Sequence, residues 1–349
     1  MSNIDLKQFV NINIIHKESS KVNAIRDTVV LLTTEGTKGN DSDPYSSYAE
    51  VTADAKNTGL TDTLAYSKMY FDNNGNKLLI IHGIQVADLA ITIQKLDTKY
   101  IVVAYTGALS DLVAVSRGSG ITSKLFVGRT ETKTDVTTLS NVAIKYSTVS
   151  GAEMTMAAYL SNIEIYGVDT VHDYSFTKEE ITTEDIGDSD LTTILTNNMN
   201  VDVTLSNAVR NVGGNTKDGY DLVNEFILIV LQQTLTDRLV NLLTEKIKGN
   251  SGLASINSVM REELGKYLSN GFLTTDKVYT DETLTVNYNN TNYTIIEKNT
   301  PLPNGYYITI LPLNSLTDAD IQKHSTPPIY IVLATSYGIR YINITGYVI

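Results

Sequence analysis

The sequence predicts an α/β domain over residues 22–165, followed by an α+β domain over residues 166–338. Strand-forming arms precede and follow these domains, at residues 1–21 and 339–349. Three observations support this arrangement. Apolar runs of strand length alternate with helical patterns in the first half, which is typical of a sheet covered by helices. A long amphipathic helix pattern precedes several strand patterns in the second half, and both chain ends alternate apolar and polar residues.

The N-terminal arm alternates Val10, Ile12 and Ile14 with asparagines, and this period of two indicates a strand. In the α/β domain, apolar runs predict strands at Asp27–Thr34, Lys77–His82, Tyr100–Tyr105, Lys124–Val127 and Val142–Tyr146. Helices are predicted at Pro44–Asn57, Val86–Leu96, Leu109–Val115 and Ala152–Leu160. Strands that alternate with helices in this way predict a helix-covered sheet.

Near its start the α+β domain has an acidic stretch, Lys178–Asp190, which is typical of a solvated loop or a helix N-terminus. Its dominant element is a helix over Tyr220–Lys248, where apolar residues recur at three- and four-residue steps. Further helices are predicted at Leu191–Asn198, Ser255–Ser269 and Leu316–His324. Strands are predicted at Val201–Leu205, Thr283–Tyr288, Asn292–Glu297, Tyr306–Ile310, Tyr330–Ala334 and Ile339–Ile349.

Composition favours a folded protein and excludes several classes of function. The 349 residues are 42% hydrophobic and 19% charged, with a formal net charge of −12. This acidity, without any basic run, argues against nucleic-acid binding. The absence of cysteine excludes disulfides and thiolate metal sites. The 21 tyrosines suit protein interfaces, although a bias toward A/T-rich codons explains them equally well.

The sequence carries no signal for export or membrane insertion. The N-terminus lacks a cationic segment followed by an apolar one, so we expect no signal peptide. The longest purely apolar run, Phe226–Leu231, is far shorter than the ~18 residues that cross a bilayer. We therefore expect a soluble protein that is made in the cytoplasm.

No catalytic, cofactor-binding or metal-binding set is expected. The four histidines are scattered along the chain, at His16, His82, His172 and His324, and no partner lies at ligand spacing. The segment Asp72–Asn76 resembles the start of a calcium loop, but glycine is not sixth and glutamate is not twelfth. We therefore interpret this segment as a turn and predict that the protein is not an enzyme.

The C-terminal order of elements carries a resemblance to a known family. The segment Asn304–Ile310 (NGYYITI) is followed by the polar helix pattern, then by Pro327–Ile329 and two strand patterns. Earlier, Asp218–Tyr220 leads into the long helix, and Gly252–Ile256 precedes a shorter helix pattern that ends near Asn270–Phe272. This series resembles contractile tail sheath proteins, the polymers around the tail tubes of myophages and phage-tail-like bacteriocins.

The resemblance implies a structural subunit that polymerises as stacked hexameric rings around a tail tube. Contraction of that sheath would drive the tube through a bacterial envelope. The implied partners are other copies of the chain, the tube protein, and the baseplate and tail terminator proteins, with no cofactor. Assembly would occur in the host cytoplasm, and the product would be a virion tail or a released phage-tail-like particle.

The terminal arms are the candidate assembly residues. Sheath proteins exchange terminal strands with neighbouring subunits, and this implies roles here for Val10, Ile12, Ile14, Ile342, Ile344 and Val348. By the same resemblance, Lys323 and His324 are candidate tube-facing residues. From the residues alone, each arm could equally pair within its own domain.

Two alternative functions stay open on sequence grounds. An α/β enzyme or ligand-binding module would use a concave site at the carboxyl ends of the strands Asp27–Thr34, Lys77–His82 and Tyr100–Tyr105. A non-contractile tail tube or baseplate component is the second alternative. The lack of a convergent catalytic set argues against the enzyme.

Overall fold

The computed structural model describes residues 13–15, 28–40, 43–97, 99–116, 123–134, 141–163, 173–243, 249–322 and 325–336. The strands are β1 (Asn13–Ile15), β2 (Thr28–Leu32), β3 (Gly39–Asn40), β4 (Lys77–His82), β5 (Val102–Tyr105), β6 (Leu125–Thr130), β7 (Val142–Tyr146), β8 (Asn200–Leu205), β9 (Ala208–Val212), β10 (Leu284–Tyr288), β11 (Thr291–Ile296), β12 (Tyr306–Ile310) and β13 (Ile329–Leu333). The α-helices are α1 (Tyr48–Ala53), α2 (Thr61–Asp72), α3 (Val86–Lys95), α4 (Leu109–Ser116), α5 (Met154–Ser161), α6 (Asp188–Thr196), α7 (Leu222–Leu243), α8 (Gly249–Ser269) and α9 (Asp318–Gln322).

An eight-stranded sheet forms the larger layer, in the order β3-β4-β2-β5-β6-β7-β8-β9. The six inner strands are parallel, and the two edge strands are antiparallel to their neighbours. Alternate residues of β2 enter different apolar clusters, since Val29 lies in one cluster and Val30 in the other. Burial on both faces explains why these strands appear in the sequence as continuous apolar runs, and it confirms the predicted helix-covered sheet.

The sheet continues beyond residue 165, because β8 and β9 are its last two strands. The sequence analysis predicts β8 but no strand at β9. The two strands form a hairpin whose turn residues, Ser206 and Asn207, both have positive φ, as a two-residue turn of this kind requires. Ser-Asn is a weaker turn signal than Asn-Gly, so the hairpin is easily missed. The domain division at 165 and 166 stays a prediction.

A second, three-stranded sheet has the order β1-β13-β12. The predicted hairpin is confirmed as β10 and β11, which turn through Asn289 and Asn290, both at positive φ. The long predicted helix is confirmed as α7, which ends at Leu243 within the described residues. Helix α8 begins at Gly249, earlier than the predicted Ser255, and it contacts both α7 and β12.

Two helices begin later in the structure than the sequence predicts. The prediction at Pro44–Asn57 becomes α1 and a 3-10 turn, Ala55–Asn57, because Ser47 caps α1 by accepting a hydrogen bond from the Glu50 amide. The prediction at Leu316–His324 corresponds to α9, which begins at Asp318 and is described as far as Gln322. Side-chain capping by Ser47 sets the start of α1, and apolar periodicity does not reveal such a cap.

One apolar cluster connects the two sheets. It includes Leu31 of β2, Ala157 of α5, Phe226 of α7, Tyr267 of α8 and Ile331 of β13, all buried. The helices α7 and α8 therefore fill the space between the larger sheet and the smaller one. Among the residues that the structure describes, no helix combines the length and apolarity needed to cross a membrane.

Candidate assembly interface

The central strand of the small sheet, β13, is covered on both faces. Ile329 and Ile331 belong to the large cluster that contains α8. Tyr330 and Val332, on the other face, pack toward the β10–β11 hairpin. Tyr330 shares a small apolar cluster with Ile295, and Val332 shares another with Ile296 and Leu302. This follows from the alternation of side chains along a strand. Because both faces of β13 are occupied, only its edges can receive a further strand.

Both edges of β13 carry a strand within this chain. β12 pairs with one edge in antiparallel register, with Ile308 opposite Ile331. β1 pairs with the other edge in parallel register, with Ile14 opposite Ile331. A segment near the N-terminus therefore completes a sheet whose other strands lie more than 290 residues later.

The structure locates one of the predicted assembly residues. Ile14 lies in β1, beside β13. The other predicted exchange residues and the candidate tube-facing residues lie outside the described residues; they are Val10, Ile12, Ile342, Ile344, Val348, Lys323 and His324. The C-terminal arm, residues 339–349, lies there as well, so the roles of these residues stay predictions.

A buried charged cluster joins β7 and β8 of the large sheet to the segment that contains Glu179. The sequence analysis did not predict this cluster. Lys145 Nζ of β7 lies 2.5 Å from Glu179 Oε2 and 2.8 Å from Asp202 Oδ2 of β8. The Tyr174 hydroxyl donates a hydrogen bond to Glu179. Burial opposes the charge on Lys145, yet the carboxylates of Asp202 and Glu179 outweigh it and hold the lysine pKa above its ordinary value.

This cluster corrects part of the prediction for the acidic stretch Lys178–Asp190. Glu179 is buried and ion-paired, and Glu184 accepts hydrogen bonds from the Thr148 amide and hydroxyl. Only the end of the stretch, from Asp188, forms the predicted helix N-terminus. A carboxylate that pairs with a lysine 34 residues away cannot be distinguished from a solvated one by local composition.

The described residues contain no group of three or more His, Asp or Glu side chains placed to hold a metal ion. His82, the one histidine among them, is buried at the end of β4. The interpretation of Asp72–Asn76 as a turn is supported, since α2 ends at Asp72 and β4 begins at Lys77.

Comparisons with known proteins were made on sequence and on structure. No family model and no curated protein matches the chain. Solved structures do match. A chain of the anti-feeding prophage baseplate in its contracted state is 13% identical, with a TM-score of 0.65, and the match covers 98% of this chain and 99% of that one. The anti-feeding prophage helical sheath in its contracted state is 12% identical, with a TM-score of 0.64, covering 95% and 97%.

A crystallised sheath tail protein from Listeria innocua also matches. It is 9% identical, with a TM-score of 0.53, and the match covers 89% of this chain and 96% of that one. The chain has the fold of contractile sheath proteins. The resemblance predicted from the C-terminal motifs is thereby confirmed at the level of fold.

The shared sheath fold extends over nearly the whole chain. A match that covers 95–98% of the sequence includes the eight-stranded sheet as well as the C-terminal part where the motifs lie. At 12–13% identity few side chains are shared. The likeness therefore comes from the arrangement of helices and strands.

Proposed function

We propose that the protein is the sheath subunit of a contractile tail or a phage-tail-like particle. The observation that carries this proposal is the sheath fold, matched over 95% or more of the chain to two anti-feeding prophage structures. One of them is a helical sheath in its contracted state. A mechanical role of this kind depends on subunit contacts, so the proposal includes no catalytic residue and no cofactor.

The finer proposal is that the terminal arms link neighbouring subunits by strand exchange. In the isolated chain, β1 pairs with the edge of β13. Residues 16–27, which separate β1 from β2, span at most about 45 Å when fully extended. The same edge can therefore accept either the chain's own arm or that of a neighbour within reach, as in domain swapping.

In the assembled particle, Val10, Ile12 and Ile14 would supply the N-terminal exchanged strand. Ile342, Ile344 and Val348 would supply the C-terminal one. Head-to-tail contacts of this kind build open helical polymers, which we propose are stacked hexameric rings around a tail tube. Lys323 and His324 would face the tube, and baseplate and terminator proteins would bind the two ends.

Contraction would then be a rigid-body rearrangement of subunits that stay linked through their arms. It would drive the tube through a bacterial envelope. Assembly would take place in the bacterial cytoplasm, before the virion or particle is released.

Negative-stain microscopy of the purified full-length chain tests the proposal. We expect sheath-like tubes, and tubes of two different lengths and diameters when the tail tube protein is co-expressed. A dispersed monomer at high protein concentration would contradict the sheath assignment. Tubes that never shorten would favour a non-contractile tail component instead.

A further inference from the structure

The buried cluster around Lys145 brings an amine and two carboxyl groups into direct contact. Lys145 Nζ lies 2.5 Å from Glu179 Oε2 and 2.8 Å from Asp202 Oδ2. The Lys145 side chain is 0% exposed, and the Glu179 and Asp202 side chains are each 3% exposed. An amine and a carboxyl group are the reactants of amide formation, and a site that excludes water favours this condensation over the reverse hydrolysis.

Asp202 is placed as the carboxyl group that the amine attacks. Nζ lies within about 4 Å of Asp202 Cγ, because that carbon is one C–O bond of about 1.2 Å beyond Oδ2. Reacting atoms in a near-attack geometry are about 3–3.5 Å apart, so only a small movement is needed. Neither oxygen of Asp202 accepts a hydrogen bond from the described residues, which leaves its charged form poorly stabilised. Burial raises the pKa of Asp202 and so favours the protonated carboxyl, the form that can lose water.

Glu179 is placed as the proton acceptor. An amine is a nucleophile only after its ammonium form has lost a proton, and Glu179 Oε2 is the closer of the two carboxylate contacts of Nζ. The Tyr174 hydroxyl donates a hydrogen bond to Glu179 Oε1, which holds the carboxylate beside the lysine. Although burial opposes its charge, the carboxylates hold the pKa of Lys145 above its ordinary value. The neutral amine is therefore rare, and we expect any reaction to be slow.

We propose that Lys145 and Asp202 condense to an intramolecular isopeptide bond, so that the cluster is a site of self-modification. Lys145 Nζ transfers one proton to Glu179 and attacks Asp202 Cγ, which forms the C–N bond. The bond between Cγ and the Asp202 hydroxyl oxygen then breaks, and this oxygen leaves as water with a second proton from the nitrogen. The products are an amide, one water molecule and protonated Glu179. The balance requires no oxidant, reductant or further reactant.

The reaction removes two charges from the protein interior. Before condensation the cluster holds the Lys145 ammonium and the Glu179 carboxylate as ions. After condensation both the amide and the protonated Glu179 carboxyl are neutral. Ions are far more costly to bury than neutral groups that form hydrogen bonds, so the product suits this site better than the reactants do.

The bond would join two strands whose main-chain pairing is short. The register of β7 and β8 places Lys145 opposite Asn200 and Tyr146 opposite Val201 and extends no further, while the other parallel pairs of this sheet are longer. A covalent link between residues 145 and 202 also closes a loop, which restricts the unfolded chain as a disulfide does. The reaction needs only the side chains of this cluster, so it is independent of the sheath role.

Intact-mass spectrometry of the denatured full-length protein measures the reaction directly. We expect a species that is lighter than the unmodified chain by one water molecule, and its fraction should rise over several days at neutral pH. Digestion should then yield a branched peptide that joins Lys145 to Asp202, identified by its fragment masses. The digestion is needed because an aspartyl imide, which forms at Asp-Gly sequences such as Asp218-Gly219, loses the same mass.

Three variants assign the roles in the reaction. Glu179→Gln keeps the size of the side chain but removes the proton acceptor, so condensation should slow about 100-fold or more. Asp202→Asn should still condense, with loss of ammonia in place of water, because the leaving group is then the amide nitrogen. Lys178→Met is the control, since Lys178 pairs with Glu180 at the exposed surface, and the loss of water should be unchanged. Circular dichroism melts confirm that each variant is folded.

Three results would overturn the proposal. The first is a wild-type mass that stays equal to that of the unmodified chain throughout the incubation. The second is a set of fragment masses that places the loss of water at another site or joins Lys145 to Glu179. The third is condensation at the wild-type rate in folded Glu179→Gln. If Glu179→Gln does not fold, the wild-type branched peptide decides, since its presence supports the bond and its absence excludes it.

Discussion

Lys145 of β7 and Asp202 of β8 form a buried ion pair between adjacent parallel strands of the large sheet, with 2.8 Å between Nζ and Oδ2. Burial raises the pKa of Asp202 despite the attraction of Lys145, and Glu179 adds to the rise. The lysine also donates to the Thr155 hydroxyl of α5. One ammonium group thus connects two strands, a helix and the segment that contains Glu179.

We predict that Lys145→Met destabilises the protein by about 3–5 kcal/mol, because it leaves two buried carboxyl groups without their cation. Urea unfolding at pH 7 measures the loss. Lys178→Met is the matched control, since its lysine pairs with Glu180 at the exposed surface, and such pairs contribute little. If Lys145→Met lowers the free energy of unfolding by less than about 1 kcal/mol, the stability of the cluster does not depend on the positive charge of Lys145.

The strands of the large sheet were predictable because burial on both faces makes each strand a continuous apolar run in the sequence. Runs such as Lys77–His82 are confirmed to the residue as β4. The C-terminal motifs also led to the sheath resemblance, and the fold is shared with structures that are only 12–13% identical. Local patterns of this type need no knowledge of distant partners.

Features that depend on distant partners were not predictable. Lys145 lies within the apolar run Val142–Tyr146, and nothing local shows that Glu179 and Asp202 neutralise it. The pairing of β1 with β13 joins opposite ends of the chain. Sequence periodicity indicated that β1 is a strand but not which strand it joins.

The second prediction concerns the packing of α7. Leu235 and Leu239 are buried in the large apolar cluster, so Leu235→Asp should destabilise the protein by several kcal/mol. Ile91→Asp is the matched control on α3, where the isoleucine is 52% exposed, and it should change stability little. Thermal melts and solubility measure both. Wild-type solubility and melting in Leu235→Asp would contradict the burial of α7.

The third prediction concerns pH. Burial, with the negative charges of Asp218 and Asp221, raises the pKa of Glu225 to about 8. A carboxyl whose pKa is raised by folding holds its proton longer in the folded state, so its contribution to stability falls as pH rises from about 4.5 to 8. Glu225→Gln should remove this fall and stabilise the protein at pH 8 by about 2 kcal/mol, after allowance for partial solvent screening.

Urea unfolding of wild type and Glu225→Gln at pH 5, 6, 7 and 8 tests this sign. The exposed Glu282→Gln is the control and should leave the pH dependence unchanged. Glu225 also lies in the first turn of α7, where the helix dipole favours a negative charge. If the dipole dominates, the wild type will gain stability relative to Glu225→Gln as pH rises, and the prediction is wrong.

The last prediction concerns the arms. Removal of residues 1–15 deletes β1 and frees one edge of β13, while β12, α8 and the hairpin still cover the rest of that strand. We therefore expect a folded monomer, with a melting temperature lowered only slightly, that no longer forms tubes. Removal of residues 341–349 should have the same result. A peptide of residues 1–15 should bind the first truncated protein, because the free edge offers main-chain hydrogen bonds.

Single charged substitutions in the arms distinguish an effect on assembly from an effect on folding. Ile14→Lys and Ile344→Lys should reduce sedimenting polymer far more than they lower the melting temperature, since an exchanged strand contributes mainly to its neighbour. Ile91→Lys, at an exposed position outside both arms, should affect neither measurement. Circular dichroism melts and sedimentation of the same samples provide the comparison. If the truncated chains unfold, β1 serves its own chain, and the sheath proposal then depends on the shared fold without strand exchange.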